Sequence, residues 1–406
     1  MINSVAGSRA RLAIAQMVRS YLWSPDPDIL DFTRQLREQF GFCNEFAYKL
    51  LYDVYRSLNE RLFPAITEME LILTEACNLH CTYCFEKNII GAKYMNAELA
   101  RRAVDLLFDY SFRRRKLRIT FFGGEPTLNR PVIEEVLNYV AAKQRTTRKE
   151  VAFHMTSNGT LINENMARFL AKHHVRVLLS IDGLKDTHDS FRVNRQGKGT
   201  FDAVIANALI LKKYQPWIGT KMTVMPDTVE RLYDDVKGLA ELGINHFIIG
   251  AASGNDWSAE SLKTLQDHLV KIKNLCRIRN RNGKIMRVPQ LDGHISRNPR
   301  YGCQAARNSI CVTADGEISP CARVLAINGK ELVAHLGNIR FGIFKLQTRW
   351  EMVTCNKLRE NCARRGVEKD FDGGCFAANF EETGDVFQPS LAQYRIQRAE
   401  RLNHAH

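Results

Sequence analysis

No apolar run in this 406-residue chain is long enough to span a bilayer. No cleavable leader follows Arg9 and Arg11, because the apolar stretch at residues 12–18 is short and broken by Gln16. Neither a membrane protein nor a secreted one is expected; the reading is cytoplasmic. Low-complexity tracts are missing, and so is any repeat beyond alternating strand and helix. Acidic residues are the scarcer charge, 44 against 58 lysines and arginines, and the resulting +14 favours an anionic partner. Charge alone does not choose among nucleic acid, an acidic peptide and a phosphorylated cofactor. The basic runs (residues 113–116, and Arg277, Arg279, Arg281, Lys284 and Arg287) carry no interleaved aromatics, so the stacking pattern of single-strand binders is absent. Cations at 113–116 suit a helix C-terminus instead. Core material is plentiful: 45% apolar and 25% charged residues exclude disorder of the whole chain. In a reducing compartment the eleven cysteines read as metal ligands or buried thiols rather than disulfides.

The first 66 residues pattern as helices, one entered through Pro25-Asp26-Pro27-Asp28 and one running through Phe46, Leu50, Leu51, Val54, Tyr55 and Leu58 to stop near Pro64. No strand triplet occurs there, which argues against a winged-helix module. From Glu68 the pattern alternates. Strands are predicted at 69–74, 117–122, 151–155, 175–181, 218–224 and 246–249, with helices at 96–112, 130–144, 163–173, 201–213 and 229–242, and a last one at 259–280. Six βα units in series demand parallel strands with right-handed crossovers, hence an α/β partial (β/α)6 TIM-like barrel whose chemistry sits on loops after the strands. Periodicity fades beyond about Gly283, and six cysteines fall between Cys303 and Cys375, a segment expected to need bound metal for stability. The tail from Pro389 reads as a basic helix.

Every motif that carries chemistry lies just after a predicted strand. Cys77, Cys81 and Cys84 form C-x3-C-x2-C on one tight loop, a spacing that holds three irons of a cubane and leaves the fourth open. Zinc with His80 as fourth ligand is the competing reading, but structural zinc gathers its ligands as two separated pairs. Gly123-Gly124-Glu125-Pro126 follows the second strand, where two glycines let backbone approach a ligand closely. Ser157-Asn158-Gly159 follows the third strand, and Ser180 with Asp182-Gly183 the fourth; these offer hydroxyl and amide groups suited to ribose, or are plain turns. Arg192 offers a fork for a carboxylate or, more blandly, a surface ion pair with Asp189. Cys43 and Cys276 read as ordinary thiols.

In order and spacing, TEACNLHCTYCFE (74–86), FFGGEP (121–126), SNG (157–159), SIDG with HDSFR (180–192) and CVTADGEISPC (311–321) resemble the radical S-adenosylmethionine (SAM) superfamily, in particular members with a C-terminal SPASM or twitch cluster domain. The resemblance spans about residues 69–375. It implies that Cys77, Cys81 and Cys84 bind a [4Fe–4S] cluster chelated by SAM, with Tyr83 near adenine. It further implies Gly123, Gly124 and Glu125 at the SAM amine, Ser180 at the ribose and Arg192 at the carboxylate; Ser157, Asn158 and Asp182 join the expected cofactor contacts on their own chemistry and place. One electron, from a donor such as flavodoxin or ferredoxin, would cleave SAM to a 5′-deoxyadenosyl radical that abstracts hydrogen from substrate. The implied organisation is 1–66 helical segment, 67–285 radical SAM partial barrel, 286–388 SPASM/twitch-like domain and 389–406 helical tail.

The second cysteine set departs from the SPASM pattern. Cys303 and Gly316-x4-Cys321 match its opening, with Cys311 between them, and Asp315-Gly316 is expected to turn a hairpin that brings Cys311 to Cys321. Thereafter only Cys355, Cys362 and Cys375 occur, with Phe371 at a position the family gives to cysteine. By analogy one auxiliary [4Fe–4S] cluster would use Cys303, Cys311, Cys321 and Cys375, with Cys362 in place of Cys311 as the alternative; a second cluster lacks ligands. The expected activity is modification of a peptide or protein side chain, such as a cross-link in a ribosomally made precursor peptide. The alternatives are dehydrogenation or rearrangement of a metabolite, RNA modification, and a zinc-stabilised binding module without catalysis.

Overall fold

The computed structural model describes residues 28–41, 43–291, 303–327, 334–367, 371 and 373–401. The readings placed on residues 9–18, on Pro25, Asp26 and Pro27 and on residues 402–406 lie outside them. Asp28 caps the first helix by accepting the Asp31 amide at 2.8 Å, and Gly41 in the left-handed region (φ 65°) ends it. That helix, α1 (Ile29–Phe40), and α2 (Asn44–Leu62) pack together through Phe32, Leu36, Leu51 and Tyr55.

The strand–helix alternation is as the sequence predicts. In chain order it runs β1 (Glu68–Thr74), α3 (Ala97–Tyr110), β2 (Lys116–Gly123), α4 (Arg130–Thr146), β3 (Glu150–Ser157), α5 (Glu164–Lys172), β4 (Arg176–Ser180), α6 (Lys185–Asp189), α7 (Phe201–Lys212), β5 (Gly219–Val224), α8 (Leu232–Glu241), β6 (His246–Ala251) and α9 (Ala259–Arg281). Beyond them lie β7 (Ser309–Val312), β8 (Glu317–Ser319), α10 (Ala322–Ala326), β9 (Gly337–Asn338), β10 (Gly342–Ile343), α11 (Leu346–Thr354), α12 (Asn356–Arg364), α13 (Phe376–Thr383) and α14 (Leu391–Arg401).

The ten strands form one sheet in the order β10-β9-β8-β7-β1-β2-β3-β4-β5-β6. Strands β1 to β6 are parallel neighbours. Period-two alternation splits each strand between layers: Met69, Leu71 and Leu73 of β1 enter the main core with Val104 and Leu107 of α3, while Ile72 packs with Cys311, Ala322 and Leu325. The inner face of the barrel therefore meets the cysteine segment directly.

Two contacts join the segment after α9 to the barrel. Met286 and Val288 are fully buried in the barrel's core, and the Phe247 amide donates to the Arg287 carbonyl at 2.9 Å, so this segment still pairs with β6. Strand β7 also joins β1 in parallel, setting Glu70 opposite Cys311. The C-terminal cysteine segment thus shares the barrel's sheet and core instead of standing apart. The Asp315-Gly316 turn (Gly316 φ 92°) does make the expected hairpin, with Cys311 opposite Ser319.

Candidate active site

The loop after β1 is fixed from two sides. His80 and Thr82 donate their amides to the Val193 and Phe191 carbonyls at 2.8 and 3.0 Å, and the Arg195 guanidinium donates to the Cys77 carbonyl at 2.9 Å. From the barrel side, Gly124 and Glu125 donate to the Thr74 and Ala76 carbonyls at 3.0 and 2.9 Å. A Cβ at Gly124 would fall 2.3 Å from the Ala76 oxygen, and one at Gly123 (φ 116°) 2.4 Å from the Thr74 oxygen. Glycine is therefore required at both positions for the two loops to touch.

Glu125 is fully buried. Its carboxylate accepts from the Thr127 amide (3.1 Å) and hydroxyl (2.6 Å), the Ser157 hydroxyl (2.9 Å) and the Asn158 amide (2.8 Å). Burial raises its pKa, and these donors pull it back. Ser157 is thereby engaged as well. The Asn158 side chain donates to Asn78 at 2.9 Å and lies 3.9 Å from the Cys77 sulfur. The Gly-Gly-Glu-Pro and Ser-Asn-Gly turns and the cysteine loop form one hydrogen-bonded unit.

Arg192 is buried, and its partner is Asp182 rather than Asp189: Nε and Nη2 donate to the two carboxylate oxygens at 2.8 and 3.2 Å. Asp182 also accepts from the Tyr83 hydroxyl and, at 2.8 Å, from the Thr223 amide. Its carboxylate is thus fully engaged. The guanidinium lies 5.3 Å from the Tyr83 ring centre, and Arg192 draws the Cys81 thiol down against the burial that raises it. Asp189 instead caps α7 through the Phe201 amide at 2.8 Å. Ser180 differs: it ends β4 half-buried, and its hydroxyl has no hydrogen-bond partner among the described residues.

Cys77, Cys81 and Cys84 are free and partly exposed. Burial pushes Cys77 up to about 12 and Cys84 up to about 11, so the protein alone does not make thiolates here; a bound cationic group would. The three thiols are free on one braced loop, the donor set a cluster with one open iron would use, and His80 on the same loop is exposed. Beyond the loop, Cys321 neighbours Cys303 and Cys375, and Cys311 neighbours Cys321 from β7. Cys362 lies in α12 beside Cys355, which in turn neighbours Cys303. Phe371 is buried against Tyr394 of α14, ring centres 5.3 Å apart, and serves the core.

Sequence reasoning missed the acids between the two cysteine sets. Glu70 accepts the Ala322 amide at 2.9 Å, and Glu86, buried nearby with one oxygen unpartnered, is pushed up to about 7 by burial and by Glu70. The signal for Glu70 was its inward place in the alternation of β1.

An open parallel barrel with a cysteine loop after its first strand defines an iron–sulfur α/β-barrel class. Within it, residues 71–237 match the model of the Radical SAM superfamily, and the chain carries a radical SAM domain, whose cofactors are a [4Fe–4S] cluster and SAM. A relative is the cysteine-type anaerobic sulfatase-maturating enzyme of Clostridium novyi (strain NT), 26% identical over 60% of this chain and 70% of that one. The fold is shared with native anSMEcpe solved with bound AdoMet and Cp18Cys peptide (TM-score 0.67, 21% identity, 83% of this chain and 96% of that). It is also shared with Streptococcus suis SuiB bound to precursor peptide SuiA (TM-score 0.58, 16% identity, 86% and 81%). Among the described residues no helix is long and apolar enough to cross a membrane.

Proposed function

We propose that this chain is a radical SAM maturase acting on a side chain of a peptide or protein, most simply a ribosomally made precursor. The observation that carries the reading is the second cysteine set, built into the barrel's own sheet at the inner face of β1. Cys77, Cys81 and Cys84 would hold the SAM-binding cluster, and Cys303, Cys311, Cys321 and Cys375 an auxiliary one. When bound, the SAM cluster supplies one-electron cleavage of SAM and a carbon radical able to take hydrogen from an unreactive C–H bond. The protein's part is positional. Glu125 ties three loops together, Asp182 and Arg192 hold the cysteine loop through its own Tyr83, and the Ser180 hydroxyl is free to meet a ribose. The relatives bearing on the substrate act on sulfatases or bind peptides, by their own descriptions.

The test is iron and sulfide analysis of anoxically reconstituted protein together with peptide turnover. Two cubanes give about eight irons per chain, and replacing Cys77, Cys81 and Cys84 by alanine leaves about four. Peptides encoded beside this chain should change mass and stimulate 5′-deoxyadenosine release. About four irons in the unaltered protein, or release indifferent to every peptide, would overturn the proposal.

A further inference from the structure

Helix α9 has a face that the barrel does not use. Leu265, Leu269, Ile272 and Cys276 enter the core, while the opposite side, through Val270, Asn274, Arg277, Ile278 and Arg281, is exposed. Residues 268–291 hold seven lysines and arginines and no aspartate or glutamate, so half of the chain's +14 sits in this one stretch. Past the helix the turn folds back on it. The Lys284 amide donates to the Arg279 carbonyl at 2.9 Å, and the Asn280 side chain bonds the Met286 carbonyl and amide, each at 2.9 Å. Ile285 is thereby held beside the helix end, 68% exposed, with Ile278 at 57% and Val270 at 43%.

The dipole of α9 accounts for cations in its last turn. It does not account for the aliphatic side chains left in water among them, and such a mixture marks a contact surface. The side chains of Arg277, Arg281 and Lys284 make no hydrogen bond or ion pair among the described residues. Nearby acids do not compensate them: Asp267 pairs with Lys263 at 3.9 Å. Glu241 ends α8, which Arg279 touches through the Ala240 carbonyl at 2.8 Å, and it forms no ion pair among the described residues. A cationic surface set with aliphatic side chains is complementary to an acidic chain segment that carries apolar residues. Nucleic acid fits it less well, because no Phe, Tyr or Trp interrupts the basic stretch to stack on a base.

We propose that this face of α9 and the turn after it dock an acidic, apolar-bearing segment of the precursor peptide, outside the part that is modified. The inference rests on the peptide-modifying reading. Helix α9 starts past the end of β6, on the side of the cofactor loops, and Arg287 returns to pair with the start of β6. The surface therefore stands towards the far end of the barrel. Ile278 lies nineteen residues into the helix, about 29 Å along it. An extended peptide covers that span in about nine residues, which sets the separation between the docked segment and the modified residue.

The test compares the reconstituted holoenzyme with two double variants that change only exposed side chains, Arg277→Glu with Arg281→Glu, and Ile278→Ser with Ile285→Ser. The probes are a rhodamine-labelled glutamate–leucine peptide, its glutamate–serine counterpart of equal charge and labelled oligouridylate, read by anisotropy, and phosphatidylglycerol vesicles, read by co-sedimentation. The glutamate–leucine peptide should bind about tenfold tighter than the glutamate–serine one, weaken with salt, and lose about tenfold in each variant. A peptide encoded beside this chain that stimulates 5′-deoxyadenosine release should show its KM raised about tenfold in the variants with kcat kept, since contacts away from the reacting atoms bind ground and transition states alike. Glutamate–leucine binding or KM left unchanged by both variants overturns the docking surface while the peptide reading stands. Oligouridylate or vesicles bound more tightly than the glutamate–leucine peptide, and lost in the same variants, assign the face to nucleic acid or membrane and overturn it too. Release indifferent to every peptide overturns the reading and this inference with it.

Discussion

Glu125 shows how a motif is legible while its direction is not. The Gly-Gly-Glu-Pro turn marks a site, yet nothing local says that the carboxylate points back to a turn 32 residues later. That orientation exists only once the loops after β1, β2 and β3 meet. Glu125→Ala removes the acceptor from four buried donors and should cost about 3 kcal/mol. It should also cost about half the bound iron by loosening the Cys77 loop; urea unfolding and iron analysis check the two parts. His188 gives a pH dependence. Its Nε2 donates to Thr200 at 3.1 Å, since the Thr200 hydroxyl itself donates to the Arg192 carbonyl, and Nδ1 is buried without a partner. Burial and then Arg192 push its pKa down to about 4. The unfolded chain therefore binds the proton first, and stability present above about pH 6.5 is lost as pH falls towards 4, by about 3 kcal/mol in all. Urea unfolding between pH 8 and 5.5 should show the decline, and His188→Gln, which keeps a donor, should flatten it. The pairing of Arg192 was also hidden in the sequence: Asp189 is nearer along the chain, but α6 ends there and the turn beyond it carries Arg192 inward to Asp182.

At the scale of elements, the barrel was readable because each strand announces itself by alternation or by an apolar run, and each helix by its apolar stripe. The joins were not. Strand β7 has four residues and pairs with a strand some 240 positions earlier, a contact with no local signal. Arg349 is another such join. Fully buried in α11, it donates to the Asn59 side chain (2.5 Å) and to the Ala306 (2.9 Å), Pro64 (2.8 Å) and Arg307 (3.3 Å) carbonyls, and lies 4.7 Å from the Phe63 ring centre. It has no carboxylate partner among the described residues, and burial pushes it down to about 9. One side chain thus clamps α2, the entry to β1 and the approach to β7. Arg349→Met leaves those acceptors dry and should cost about 3 kcal/mol or more. Faster proteolysis at the exposed Pro64 would distinguish loss of this clamp from uniform destabilisation.

For the whole molecule, one sheet and a main core that takes in residues of both the barrel and the C-terminal segment mean that the two cysteine sets do not belong to independently melting parts. A ligand bound only by the folded state stabilises everything that unfolds with it. Removing the auxiliary cluster should therefore lower the main thermal transition of the anoxic holoenzyme, not create a separate early one. The same continuity sets opposite expectations for Cys311 and Cys362. Cys311 is fully buried on β7, next to Cys321 across the hairpin, and any group it holds is anchored to β1 through the strand pairing. Cys362 lies on α12 with Cys355 for company. Cys311→Ser should drop the iron from about eight to about four per chain and lower the transition, whereas Cys362→Ser should keep about eight. Iron loss in Cys362→Ser with retention in Cys311→Ser would move the auxiliary cluster away from the shared sheet and undo the coupling argued from it.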